Sequence, residues 1–310
     1  MSASTPADLP LVSVIIPVFN DCERLLACLA AIEVGDWPQA RLDVLVIDNG
    51  STLPLRDDLS DGRPWLRVAH ESQPGSYAAR NRGIALARGS LIAFTDSDCL
   101  PAADWVRAGV RALAANPGAG IVAGEVQVFA RDAARPNAVE LYELVSAFPQ
   151  RDYVARQHFS VTANLFTRAE VVQSVGPFDA ALRSGGDGEW GRRVHAAGYA
   201  VVFAADVVVR HPARADLRGV LQKTRRVMGG LRGHDAAATR DAGRAQQAQR
   251  VARRWAGLLG NLPLQPLRYA ASPRLHGPGQ RLRVFGVTLA VRLVMLAEWL
   301  RLTIGGAPLR

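Results

Sequence analysis

The sequence predicts an α/β fold: a mixed, mainly parallel sheet flanked by helices, followed by a C-terminal helical extension. Three observations predict it. Short β-branched apolar runs alternate with helically spaced segments through the first two thirds of the chain, the pattern of βαβ units. Two of those runs end directly in Asp-containing turns. From about residue 214 the strand signals stop and Arg-rich segments of helical spacing take over.

The elements follow in order. Val12 to Phe19 is a buried-type strand, and Leu25, Leu26, Leu29 and Ile32 make one helical stripe after it. Leu42 to Ile47 repeats the strand signal and runs into the turn-forming Asp48-Asn49-Gly50-Ser51. A short strand at Leu66 to Ala69, a helix at Tyr77 to Ala87 and a strand at Leu91 to Phe94 lead into Thr95-Asp96-Ser97-Asp98. A helix at Trp105 to Ala114 and a strand at Gly120 to Val128 come next, then an irregular or helical stretch from Asn137 to Phe159. A strand at Val161 to Phe166, helices at Arg168 to Val175 and Gly188 to Ala197, and a strand at Ala200 to Val209 complete the domain. The expected organisation is a disordered lead-in (1–10), an α/β domain (11–213) and a basic helical extension (214–310).

Charge divides the chain the same way. Residues 1–213 hold 19 basic and 24 acidic side chains, net −5, whereas residues 214–310 hold 18 and 4, net +14. Such a tail suits either nucleic acid or anionic lipid. Within it, Arg218 to Arg232 and Arg240 to Leu259 have helical spacing, and a Pro- and Gly-punctuated stretch spans Asn261 to Gln280. In the last segment, Arg281 to Ile304, the charges Arg281, Arg283, Arg292, Glu298 and Arg301 fall within about half the helical circumference, which predicts an amphipathic helix. Arg292 near its middle disfavours a membrane span; lying on an anionic surface, or packing on protein, are the two remaining readings. Cys22, Cys28 and Cys99 form neither a disulfide framework nor a zinc pattern, which fits a reducing cytoplasm. The first ten residues carry no basic residue and no apolar core of a secretory signal.

Asp96 and Asp98 follow a buried-type strand. In open α/β sheets ligands bind beyond the C-terminal strand ends. Two carboxylates one residue apart can hold Mg²⁺ or Mn²⁺ against a diphosphate, because these ions prefer oxygen ligands and share their shell with phosphate and water. The alternative is a solvated acidic turn.

The ordered segments VSVIIPVFN, VIDNGS, GSYAARNRGIALARGSLIAFTDSD and VGPFDAALRSGGDGEWGRR resemble the family-2 glycosyltransferases of the GT-A fold, a Rossmann-like architecture, over about residues 11 to 212. The resemblance implies that Asp48 contacts the nucleotide base, with Pro17 and Phe19 shaping its pocket. It places Asp96 near the ribose or nucleotide, Asp98 on a Mn²⁺ or Mg²⁺ cofactor, and Arg80 and Asn81 on the donor nucleotide. His211 matches a histidine that reaches the metal or diphosphate in several relatives. Asn164 and Trp190 are the acceptor-side candidates, with Ser160 and Thr162 weaker ones. Members usually carry Gly-Glu-Asp where this chain has Gly185-Gly186-Asp187. Asp187 is therefore the expected general base, with Glu189 as the alternative should Gly186 rearrange the loop.

The implied activity is inverting transfer of a sugar from a nucleoside-diphosphate sugar, UDP-linked by preference, to a hydroxyl on a glycan or lipid-linked acceptor. Bacterial polysaccharide, lipopolysaccharide or glycolipid synthesis is the expected setting. The expected location is cytoplasmic, peripheral on the inner face of the plasma membrane, with homo-oligomerisation open and no nucleic-acid partner. Two other readings stand: a nucleotidyltransferase, against which the first strand is followed by no Gly-rich basic loop, and a non-catalytic nucleotide-sugar-binding subunit.

Overall fold

The computed structural model describes residues 8–53, 55–237 and 244–307. They form two compact units. The first comprises the chain to Gln127, Phe148–Ala181 and Gly186–His211; the second comprises Val128–Ala147, Leu182–Gly185 and the chain from Pro212 onward. The expected lead-in falls outside the described residues up to position 7, and Leu9 already packs on the first unit's core.

The strands are β1 (Val12–Val18), β2 (Leu42–Asp48), β3 (Leu66–His70), β4 (Leu91–Thr95), β5 (Leu100–Pro101), β6 (Ala119–Phe129), β7 (Asn164–Arg168) and β8 (Ala200–Pro212). They form one sheet in the order β3-β2-β1-β4-β7-β6-β8-β5. β1 pairs in parallel with β2 and β4, and β2 with β3. β7 runs antiparallel to β4 and β6, and β5 antiparallel to β8. The mainly apolar, non-alternating runs of β1 and β2, broken only by the mutually hydrogen-bonded Ser13 and Asp43 and the terminal Asp48, are explained by this placement, because parallel strands covered on both faces have no solvent side to alternate towards. The helices of this unit are α1 (Cys22–Glu33), α2 (Ser76–Leu86), α3 (Trp105–Ala115), α5 (Gln150–Gln157), α6 (Ala169–Val175) and α7 (Gly186–Ala196). Leu25, Cys28, Leu29 and Ile32 of α1 are buried on the sheet, close to the stripe read from sequence.

Two of the expected strands have bounds more than one residue away from the sequence reading. β7 starts at Asn164, not Val161, because the preceding amides are claimed by side chains: Val161 N–H donates to Gln150 Oε1 at 3.0 Å and Thr162 N–H to Asp187 Oδ2 at 3.2 Å. β8 continues to Pro212 and pairs with β5, a two-residue strand too short to leave a periodic signal.

The second unit is helical: α4 (Ala138–Ser146), α8 (Leu217–Ala237), α9 (Arg244–Ala270) and α10 (Gly277–Thr303). α4 opens on a capping box in which Asn137 and Glu140 satisfy each other's backbone amides. α10 is the centre of the unit. Its Val287 and Val291 pack with Val139 of α4 and Val220 of α8, and its Trp299 and Leu302 with Met228 of α8 and Leu258 of α9. The punctuated stretch expected from Asn261 does not break the helix: α9 runs through Pro263 and Pro266 to Ala270. Each proline removes one backbone hydrogen bond, and buried Leu258 and Pro266, before and after Pro263, keep the segment packed in the unit. Residues 240–243 of the predicted Arg-rich helix lie outside the described residues.

The amphipathic reading of α10 needs correction. Arg292 and Glu298 are buried, and Glu298 pairs with Arg301 at its own helix end. The exposed centre carries Leu282, Leu293, Leu300 and Ile304 instead, within about 40° of one another at ~100° per residue. The charged arc thus faces partly inward, because Arg292 finds the Leu258 carbonyl of α9. No described helix is long and apolar enough to cross a membrane.

Candidate active site

The parallel half of the sheet sets the site. β1, β2 and β4 end on the same edge, so Phe19, Asp48 and Asp96 emerge side by side. Past β1 the chain turns sharply at Asn20, whose φ of 52° is left-handed. Its side-chain oxygen accepts from the Thr52 amide at 2.8 Å and its own amide donates to Ser51 Oγ at 2.9 Å, which ties the loops after β1 and β2 together. Asn49 does the same for the approach to α2: its amide donates to the carbonyls of Glu71 and Gln73, and its oxygen accepts from Gly75 N–H. Neither asparagine was singled out from sequence, although both stand in the segments that carry the family resemblance.

Asp48 accepts from the Ser51 amide at 3.2 Å and lies 3.3 Å from His70 Nδ1, and it keeps lone pairs on the open side of the strand edge. Pro17 is half-buried beneath, and Phe19 is 59 % exposed, an unusual position for an aromatic and one suited to a flat ligand.

The short strand β5 explains Asp98. The antiparallel register places Leu100 opposite Arg210, so the two residues before Leu100 meet the two after Arg210. Asp98 Oδ2 consequently lies 3.5 Å from His211 Nε2, with Arg24 at 4.0 Å. His211 is buried, its ring packed 4.7 Å from Phe148. Burial pushes the Asp98 carboxyl above the ordinary range, while His211 opposes the shift and Asp96 adds to it. A carboxylate oxygen from the β4–β5 turn and an imidazole nitrogen from β8 fit a divalent cation that completes its shell with phosphate and water oxygens. The described residues offer no cluster of three or more His, Cys, Asp or Glu ligands, so the protein would supply a minority of the shell.

Asp96 is committed differently. Its Oδ1 accepts from Arg80 at 2.5 Å, and Arg80 is buried, also donates to the Ser76 carbonyl, and lies over the Tyr77 ring. Arg80 therefore sits beneath Asp96 and orients it, in place of the expected direct hold on the nucleotide. Its Nε is buried without a hydrogen-bond partner.

Asp187 stands in the first turn of α7. Its carboxylate accepts from the Thr162 amide, and Tyr77 Oη accepts from the amides of Gly186 and Asp187 at 2.9 and 3.4 Å. Desolvation pushes the Asp187 carboxyl above the ordinary value of 3.8, although Arg80, Tyr77 and the Thr162 amide all favour the charged form. The unusual Gly186 has a steric reason. A Cβ there would meet the Tyr77 ring at 2.7 Å, so the phenol occupies the space where the family's glutamate would begin. The departure at Gly186 was the signal for Tyr77 in the sequence.

Four expectations are corrected. Asn81 does not face the nucleotide, because both ends of its amide are spent on the Phe178 backbone. Glu189 is held by Arg193 at 2.6 and 3.0 Å, an arginine that also binds the carbonyls of Val175 and Pro177. Trp190 is wholly buried against Phe178 and donates to the Gly176 carbonyl, so it presents no face to a sugar. Asn164 is wholly buried and fully engaged: its oxygen accepts from the Trp105 indole, and its NH₂ donates to the carbonyls of Glu125 and Val207. Of the two weaker candidates, Ser160 is internally bonded to Gln150, and Thr162 contacts Asp187.

Replacing Asn164 by Ala strands one indole donor and two carbonyls. The expected outcome is a loss of about 2–4 kcal/mol in denaturant unfolding, with the KM for donor unchanged in whatever fraction remains folded.

Comparison with known proteins bears on the family and the fold. Residues 13–172 match the model of glycosyl transferase family 2. The chain is 39 % identical over 213 residues to the glycosyltransferase AglE of Haloferax volcanii, covering 66 % of this chain and 68 % of that protein. It is 28 % identical over 216 residues to the pre-mycofactocin glycosyltransferase of Mycobacterium tuberculosis, but spans only 44 % of that protein's length. Among solved structures it is similar to the mannosyltransferase PcManGT of Pyrobaculum calidifontis, in complex with GDP-Man and Mn²⁺, with a TM-score of 0.61 at 23 % identity over 96 % of this chain and 88 % of that one. It is also similar to residues 1–349 of S. aureus TarS, with a TM-score of 0.52 at 15 % identity over 95 % and 91 %. The fold is that of the GT-A glycosyltransferases, and the chain belongs to glycosyl transferase family 2.

Proposed function

We propose that the chain is an inverting, metal-dependent transferase that moves a sugar from a nucleoside-diphosphate sugar to an acceptor hydroxyl, in bacterial polysaccharide, lipopolysaccharide or glycolipid synthesis. The convergence of Asp98 and His211 carries the reading: two ligating groups from distant sequence positions meet at the edge where the donor strands end. Asp48 and Phe19 would take the base, and Asp96, held by Arg80, the ribose. Asp98 and His211 would hold a Mn²⁺ or Mg²⁺, and the nitrogen ligand favours Mn²⁺, since Mg²⁺ keeps a nearly all-oxygen shell. Such an ion supplies Lewis-acid stabilisation of the leaving diphosphate. The GDP-Man and Mn²⁺ of PcManGT are consistent with this assignment, and they make GDP the nucleotide to test beside UDP.

Asp187 takes the proton from the acceptor hydroxyl as its oxygen attacks the anomeric carbon. A carboxylate whose pKa is raised towards neutrality is a stronger base than an ordinary aspartate. Glu189 is the weaker choice, because Arg193 would have to release it. No protein nucleophile is required; Cys28 and Cys99 are buried thiols that burial pushes further towards the inert protonated form.

Calorimetry with UDP, GDP and dTDP, with and without Mn²⁺, tests the donor side on wild type and Asp98→Ala. Metal-dependent binding of one nucleotide, weakened at least about tenfold in Asp98→Ala, is expected. A folded wild type that binds none of them would remove the nucleotide-sugar donor from the account.

On the acceptor side we propose a glycan or lipid-linked hydroxyl reached at an anionic membrane surface. The net +14 of residues 214–310 and the exposed leucines of α10 support it. The full chain is expected to float with vesicles containing phosphatidylglycerol, and a Leu293→Glu, Leu300→Glu variant to stay behind. Equal behaviour of the two would remove the lipid surface from the account.

A further inference from the structure

The helical unit contains a buried cation with no counter-ion among the described residues. Arg292 of α10 is 6 % exposed. Its Nη2 donates to the Leu258 carbonyl, its Nη1 lies 3.6 Å from Met295 Sδ, and its Nε is buried with no partner. It makes no ion pair among the described residues, and burial lowers its pKa against weak opposition from the phenols of Tyr269 and Tyr142. Burying an unpaired charge is strongly unfavourable even after relaxation, and a methionine of similar length would fill the same space without that cost. A guanidinium retained under these conditions points to an anion that completes it.

The same arginine lines a cavity of about 550 Å³ among α8, α9 and α10. Two more guanidiniums, Arg253 and Arg254, line it, and Arg254 lies 5.8 Å over the Trp299 ring, which fixes its direction. Asn261 adds an amide, and exposed Arg253, Gly257 and Asn261 form the mouth. The remaining wall is apolar: Met228, Leu231, Leu258 and Met295. Among the described residues no carboxylate lines the cavity.

We propose that this cavity binds a phosphate group that carries an apolar substituent. The unpartnered Nε of Arg292 with the exposed guanidinium of Arg253 beside it suits a multiply charged oxyanion, since guanidiniums match the several oxygens of a phosphate. The methionine and leucine wall exceeds what a bare phosphate can contact, so it accommodates a chain attached to it. The exposed rows Leu259, Leu264 and Leu267 on α9 and Leu282, Leu293 and Leu300 on α10 lie on two of the three helices that build the cavity, which makes a lipid phosphate the favoured source. None of the residues assigned to the donor takes part, so the proposal stands or falls independently of the donor reading.

Calorimetry on the full chain tests it, with three probes: dihexanoyl phosphatidic acid below its micelle concentration, inorganic phosphate, and dihexanoyl phosphatidylcholine. Wild type is expected to bind the phosphatidic acid, with affinity falling at least about tenfold in Arg292→Met and about threefold in Arg253→Ala. Inorganic phosphate is expected to bind at least about tenfold more weakly. Equal, Arg292-dependent binding of both would keep the phosphate site and assign it a soluble source. Should Arg292→Met fail to fold, the exposed substitutions Arg253→Ala and Asn261→Ala decide. The proposal is overturned if folded wild type binds neither phosphate probe, if the substitutions leave binding unchanged, or if the phosphatidylcholine binds as tightly as the phosphatidic acid. Metal-dependent nucleotide binding is expected to be unchanged in Arg253→Ala, which separates this site from the donor site.

Discussion

The active-site edge depends on one buried guanidinium. Arg80 is almost wholly enclosed, hydrogen-bonded to Asp96 and close enough to Asp187 to favour its ionised form. Asp96 and Asp187, the carboxylates proposed for the donor and acceptor sides, thus share a single cation. Deleting that cation would leave Asp96 unpaired and Asp187 with only hydrogen bonds to offset its burial, the situation in which a buried charge becomes strongly destabilising. Tyr77 fixes the other side of the cluster. Its hydroxyl accepts the Gly186 and Asp187 amides at the start of α7, and its ring fills the space that a side chain at position 186 would need.

The second constraint is the pairing of β5 with β8. Two residues of antiparallel ladder carry Asp98 to His211, across 113 positions of sequence. A one-residue slip would reverse which side chains face the crevice, so the pair is defined by register and not by proximity in the chain. The network around Asn164 supports that register from below, since its amide ties the Glu125 and Val207 carbonyls of β6 and β8.

Much of this was legible in the sequence. The βαβ alternation and the strand-end aspartates follow from local periodicity and turn chemistry, and β1, β2 and α1 came out close to their observed bounds because buried parallel strands and amphipathic helices write strong local patterns. β5 left no trace, being too short for any period. Asn81, Asn164 and Trp190 were read as ligand-facing because amides and indoles serve both purposes; which partner they take depends on tertiary neighbours that sequence spacing does not encode. Charge patterning on α10 misled for a related reason: Arg292 and Glu298 face protein, and Leu282, Leu293 and Leu300 are exposed.

The assignment of Asp187 as base is tested most directly by the pH dependence of kcat/KM and of stability in wild type and Asp187→Asn. Folding raises this carboxyl's pKa, so the folded state favours its protonated form. Its stabilising contribution is complete below the unfolded value near 3.8 and is lost as pH rises through the folded value. The account predicts an acid limb in the wild-type rate above the ordinary aspartate range, a loss of roughly 10²- to 10⁴-fold in Asp187→Asn, and a variant at least as stable as wild type at neutral pH. A variant that keeps turnover within about tenfold of wild type, with the acid limb unmoved, would contradict it.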